Sequence, residues 1–144
     1  VIMAEINFTS ITDGVSLALH SAFPSCQVHG GDVKQGLEPG DFNVIMPGAG
    51  HSKEVGARYR RTPTVDVIYY PKEHPYNAEC SDMAQQLTLL LGSITTPQGD
   101  IIHASSCEWQ VDGGVLHVLL EYPHFAYIPQ EQELMETLTI SQEG

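Results

Sequence analysis

Basic side chains are the scarcest chemistry in this sequence. Six Lys and Arg stand against eighteen Asp and Glu over 144 residues, a formal net charge of −12. Such a chain repels phosphate and anionic lipid, which sets general nucleic-acid and membrane-surface binding aside. Cysteine is almost as rare. Cys26, Cys80 and Cys107 are odd in number and far apart, with no Cys-x-x-Cys, so they make no disulfide framework. They suit a reducing compartment, as small apolar side chains. No run of about eighteen apolar residues is present to span a membrane, and no basic stretch leads into an apolar one as a secretory signal would. Synthesis and use in a cytoplasm are expected, with Met3 a candidate initiator behind Val1 and Ile2.

Catalytic motifs are missing as well. There is no Gly-x-x-x-x-Gly-Lys-Ser/Thr and no Gly-x-Gly-x-x-Gly; Gly48-Ala49-Gly50 is only a Gly-x-Gly, without a strand-turn-helix setting. Ser25, Ser52, Ser105 and Ser106 lack a nucleophile elbow, and the cysteines lack an activating neighbourhood. The seven histidines (His20, His29, His51, His74, His103, His117 and His124) include no His-x-x-x-His pair. His117 and Glu121 lie two strand steps apart, about 13 Å, too far to share a metal. An enzyme or ligand-binding domain would need His103, His117 and Glu121 to converge with others. No catalytic residue, cofactor or metal is assigned.

What is present is one domain's worth of patterned chain. A chain of this size buries about 68–70% of its unfolded surface. Ile11, Val15, Ala18, Leu19 and Ala22 recur at helical spacing, predicting a helix over Ile6–Ala22, weakened by Gly14 and stopped by Pro24. Gln27–Val33 reads as a short strand. Asp41–Tyr70 reads as a long hairpin whose tip includes the Gly48–Gly56 region, Pro47-Gly48-Ala49-Gly50 either ending the first strand or bulging it. Cys80, Met83, Ala84, Leu87 and Leu91 predict a second helix from Tyr76 or Asn77 to Leu91, with Asn77 as N-cap, Glu79 complementing the dipole and Gly92 as the stop. Ile101–Val111 and Val115–Ile128 form a further hairpin about Asp112-Gly113-Gly114, a turn that needs positive φ. Its return strand sends Leu116, Val118, Leu120 and Tyr122 toward the helices. The expected architecture is an α+β domain over residues 1–129, with two helices packed on one face of a mostly antiparallel sheet with long hairpins. Residues 130–144 make an acidic tail with a candidate strand over Leu134–Ile140.

The basic side chains are not scattered. Lys53, Arg58, Arg60 and Arg61 gather near the expected hairpin tip, with Tyr59 among them. Arg58 and Arg60 share one face of a strand, Tyr59 and Arg61 the other. Two readings stand: a solvated edge strand guarded by charge against self-pairing, or an Arg- and Tyr-bearing contact surface. In so acidic a chain, a natural partner for the second is the acidic surface of another copy.

Gln35-Gly36-Leu37 followed by Pro39 and Phe42, then Gly56-x-Arg58-Tyr59-x-Arg61 leading to Asp66-Val67-Ile68-Tyr69-Tyr70-Pro71, resembles the tail terminator proteins of long-tailed bacteriophages and prophages, in particular those of Gram-positive bacteria. The resemblance continues through Glu79-Cys80, Ala84 and Leu87 to Asp112-Gly113-Gly114-Val115-Leu116-His117. It implies a structural virion subunit, not an enzyme, that forms a hexameric ring at the neck end of the tail tube. Such a ring stops tube polymerisation and joins the tail to the head connector. The implied partners are other copies of itself, the tail tube protein, a sheath protein where there is one, and the connector, with DNA passing through the lumen unbound. Assembly in the host cytoplasm is implied. A head–tail joining or completion protein is the nearest alternative. The resemblance carries over no catalytic residues, so Lys53, Arg58, Tyr59, Arg60 and Arg61 stand as the candidate interface to a neighbouring subunit or the tube.

Overall fold

The computed structural model describes residues 6–30, 38–72 and 77–127. The acidic segment 130–144 with its candidate strand, the Gln35–Leu37 turn and the end of the expected Gln27–Val33 strand lie outside them.

Helix α1 (Phe8–Ala22) begins later than Ile6 because Asn7 caps it, its side-chain oxygen accepting from the Ser10 N–H at 2.8 Å. Ile11, Val15 and Leu19 are fully buried on its inner face. Ala22, also expected in that stripe, is exposed at the last turn. Gly14 is more than a weak point. A Cβ there would stand 3.0 Å from the Thr95 carbonyl oxygen and 3.3 Å from Ile94 Cδ1. The missing side chain lets a strand lie directly on the helix.

That strand is β4 (Ser93–Thr95), which follows β1 (Val28–Gly30), β2 (Phe42–Lys53), β3 (Arg58–Tyr69) and α2 (Asn77–Leu90). Then come β5 (Ile101–His103), β6 (Ser106–Asp112), β7 (Val115–Glu121) and β8 (His124–Tyr127). The main sheet runs β1-β2-β3-β7-β6, with β8 also on β3. Among the described strands only β1 is parallel to its neighbour, so the fold is α+β with a mostly antiparallel sheet.

The expected second hairpin proves to be three separate pairings. Its first part, β5, joins β4 in a small sheet of its own. The hairpin proper is β6–β7, closed by Gly113 and Gly114 with φ of 61° and 79°, the left-handed pair that a two-residue turn requires. Its last part, β8, leaves β6 behind and lines up on β3. Gly92 is not a left-handed stop; its carbonyl accepts from the Ala104 N–H at the mouth of the small sheet.

The core lies between the helices and one sheet face. Leu116, Val118, Leu120 and Tyr122 are fully buried there with Val65 and Val67, against Cys80, Ala84, Leu87 and Leu91 of the α2 segment. Fully burying each Leu or Val is worth about 1.5–3 kcal/mol. The Tyr122 hydroxyl donates to the Leu91 carbonyl at 2.7 Å, so the largest fully buried side chain leaves no polar atom stranded. Glu79 does more than face the helix dipole. It accepts from the Tyr69 hydroxyl at 2.6 Å and from the Lys72 N–H at 2.8 Å, stapling α2 to the end of β3. Burial first, and then the Glu79 carboxylate, push the Tyr69 phenol well above its ordinary pKa.

Candidate functional site: a three-stranded arm

The long hairpin is longer than its sequence suggests. Strand β2 passes through Pro47 and Gly48 to Lys53, and the tip shrinks to Glu54–Ala57, where Gly56 adopts a φ of 67°. Pro47 sits inside the register shift between Ile45 and Gly48. A bulge is where a residue without an N–H costs a sheet least. Farther out Gly50 faces Thr62, whose Oγ1 a Cβ would strike.

Strand β3 has neighbours on both sides except at a two-residue changeover over Thr62 and Pro63. Over Thr64–Tyr69 the second neighbour is β7; over Arg58–Arg61 it is β8. The changeover falls at Pro63, opposite the Tyr122–Pro123 break, and the Tyr122 N–H donates to the Pro63 carbonyl at 3.0 Å. Two prolines thus meet where ladder donors are not needed. Beyond this point β2, β3 and β8 form an arm, and every residue from Pro47 to Gly56 is exposed.

All five residues singled out by sequence stand on this arm, in different roles. Arg61 lies inward: its guanidinium is 5.1 Å from the Phe8 ring centre and its Nε donates to His51 Nδ1 at 3.2 Å. Tyr59, on the same face, stacks on His51 with ring centres 4.9 Å apart. Arg58 points to the other face, 3.4 Å from Glu54 and 4.7 Å over the Phe125 ring. Arg60 shares that face, is exposed, and makes no hydrogen bond or ion pair among the described residues. Lys53 ends β2 at the tip, exposed and opposite Tyr59. Because β3 is flanked by β2 and β8 here, a charge-guarded edge is excluded as the reason for these arginines.

The reading from sequence missed the arm's apolar half. Val55 at the tip is 82% exposed, and Phe125 and Tyr127 of β8 are 52% and 68% exposed. Phe125 lies opposite Arg60 and Tyr127 opposite Arg58, so two aromatics and two arginines share one surface. The signal was the Pro123 break followed by alternation from His124 to Tyr127, which marks a new strand with one outward face.

Among the described residues the histidines form no single cluster. His117 pairs with Asp66 at 3.1 Å and His29 with Asp41 at 3.1 Å, while His103 and His124 line a separate groove of about 480 Å³. Glu121 is exposed beside Ser106. Among the described residues no group of three or more His, Cys, Asp or Glu is placed to hold a metal. Burial pushes the Cys80 and Cys107 thiols above their ordinary pKa, which makes them poor nucleophiles. No helix of the described residues is long and apolar enough to cross a membrane.

Fold and site together define an α+β domain with an extended β arm on which arginines and exposed aromatics gather. Residues 10–134 match the family described as phage tail terminator protein. The chain belongs to that family, and its role is structural, in the phage tail. No curated protein matches the sequence. Twenty-four chains of solved structures are similar. One of them, bearing no functional name, is 15% identical with a TM-score of 0.44, the match covering 84% of this chain and 92% of the other. A likeness that weak carries no argument.

Proposed function

We propose that this protein is the subunit of a homo-hexameric ring that caps the tail tube, ends tube polymerisation and presents the surface to which the head connector binds. Family membership supports the termination role. The observation that carries the assembly role is the arm, which exposes Val55, Phe125 and Tyr127 beside Arg58 and Arg60. Aromatic and arginine side chains are the types that dominate protein interfaces. The net charge of −12 suits a ring through which DNA slides without sticking. Tube, connector and, in a contractile tail, sheath proteins are the partners, met in the host cytoplasm as the virion is built.

The test is electron microscopy of tails made without this gene. Overlong, headless tails are expected. Normal-length tails that fail to join heads would move the protein to head–tail joining, and normal virions would sink both readings.

A further inference from the structure

The sheet face that carries no helix among the described residues is electrically polarised along its length. Register fixes which side chains share it. On β3 they are Arg58, Arg60, Thr62, Thr64, Asp66 and Ile68; opposite them on β7 stand His117, Leu119 and Glu121, and beyond these on β6 stand Ser106, Glu108 and Gln110. At the arm end this face holds Arg58 and Arg60 with Phe125 and Tyr127. At the body end it holds Asp66, Glu108, Asp112 and Glu121, the last three exposed, and no Lys or Arg stands at these strand positions. Arg60 and Asp66 are about 20 Å apart at roughly 3.3 Å per residue, too far to neutralise each other within one chain.

We infer that the acidic body end of this face, centred on Glu108 and Glu121, receives the Arg60–Phe125 end of the arm from a second copy of the chain. The occupant follows from charge complementarity, because four of the six basic residues, Lys53, Arg58, Arg60 and Arg61, lie on the arm and the chain as a whole is acidic. Leu119 and Val115, half-buried between the carboxylates, supply apolar contact for Phe125 and Tyr127.

The two ends are different surfaces, so the contact is heterologous. Repeated from copy to copy, such a contact builds a ring when its rotation closes, as the proposed hexamer requires. The inference rests on the ring reading only in requiring a second copy.

The experiment is sedimentation velocity of the purified chain over a concentration series at low salt, with Arg60→Glu, with Glu108→Lys combined with Glu121→Lys, and with an equimolar mixture of the two variants. Wild type is expected to self-associate. Either variant alone should do so about tenfold more weakly or worse, and the mixture, whose arm and body charges are complementary again, should recover. Circular dichroism checks that each variant is folded; if one is not, Arg60→Gln and Glu108→Gln replace the reversals and should weaken association by a smaller factor. A wild type that is monomeric throughout, variants that associate like wild type, or a mixture that fails to recover each overturn the inference. Tail length in the gene deletion is read separately, so overlong tails with a failed recovery would leave termination standing and remove this interface alone.

Discussion

The two halves of strand β3 are built from one continuous ladder, yet they face opposite demands. From Val65 to Tyr69 every residue is buried; from Arg58 to Thr62 the residues are exposed or half-buried. The inner half meets helices on one face and earns its place by packing. The outer half pairs only with β2 and β8 and, Arg61 beside Phe8 apart, touches no helix, so backbone pairing holds it in shape while Arg58 and Arg60 stay exposed. Substitutions should therefore divide by location: stability is lost in the body, assembly on the arm.

The largest effect is expected from Leu116→Ala, which empties a fully buried position between β7 and the helices and should cost about 2–5 kcal/mol in denaturant unfolding. A loss under ~1 kcal/mol would mean that the body is less well packed than the arm comparison requires. Next is Tyr122→Phe, which keeps the ring but removes the donor to the Leu91 carbonyl. Thermal melts should show a loss of about 1–2 kcal/mol, because that acceptor is then buried without a partner.

A smaller effect should appear in acid. Burial raises the Asp41 pKa, but the Glu38 N–H and then His29 outweigh it and leave the carboxyl below its ordinary value. A depressed folded pKa contributes stability that is complete above the unfolded value of about 3.9 and is lost as pH falls through the folded one. The melting temperature should drop below about pH 4, and Asp41→Asn should flatten that limb. The smallest stability change belongs to Arg60→Ala, within about 0.5 kcal/mol of wild type, since the side chain is exposed. Should Arg60→Ala unfold the protein, the division between body and arm would be wrong.

Much of the body was legible. The α2 stripe, the apolar set Leu116, Val118, Leu120 and Tyr122, and the Asp112-Gly113-Gly114 turn all follow from local periodicity and turn chemistry, and tertiary packing agrees with both. Elsewhere local signals gave out. Strand β4 is only Ser93-Ile94-Thr95, too short to show alternation, and it exists because Gly14 leaves room for it. The partner of β8 could not be read either: a strand's sequence shows which face is apolar but not which neighbour it pairs with. The five basic and aromatic residues were found from charge clustering, whereas Phe125 and Tyr127 went unseen because their strand was merged with β7. Even the alternation within Arg58–Arg61 says nothing of Arg61 lying beside Phe8, a contact between segments distant in the chain.

The Pro63–Pro123 changeover also has a mechanical consequence. A tension or thrust applied at the tip along the strands is shared by the β2–β3 ladder all at once, in shear, so the arm behaves as a stiff strut. A sideways peel is different. It loads β8 first, a strand of only four residues joined to β7 through Tyr122 and Pro123, whose paired groups then give way one after another. The arm is therefore stiff along its strands and yields first at its β8 edge.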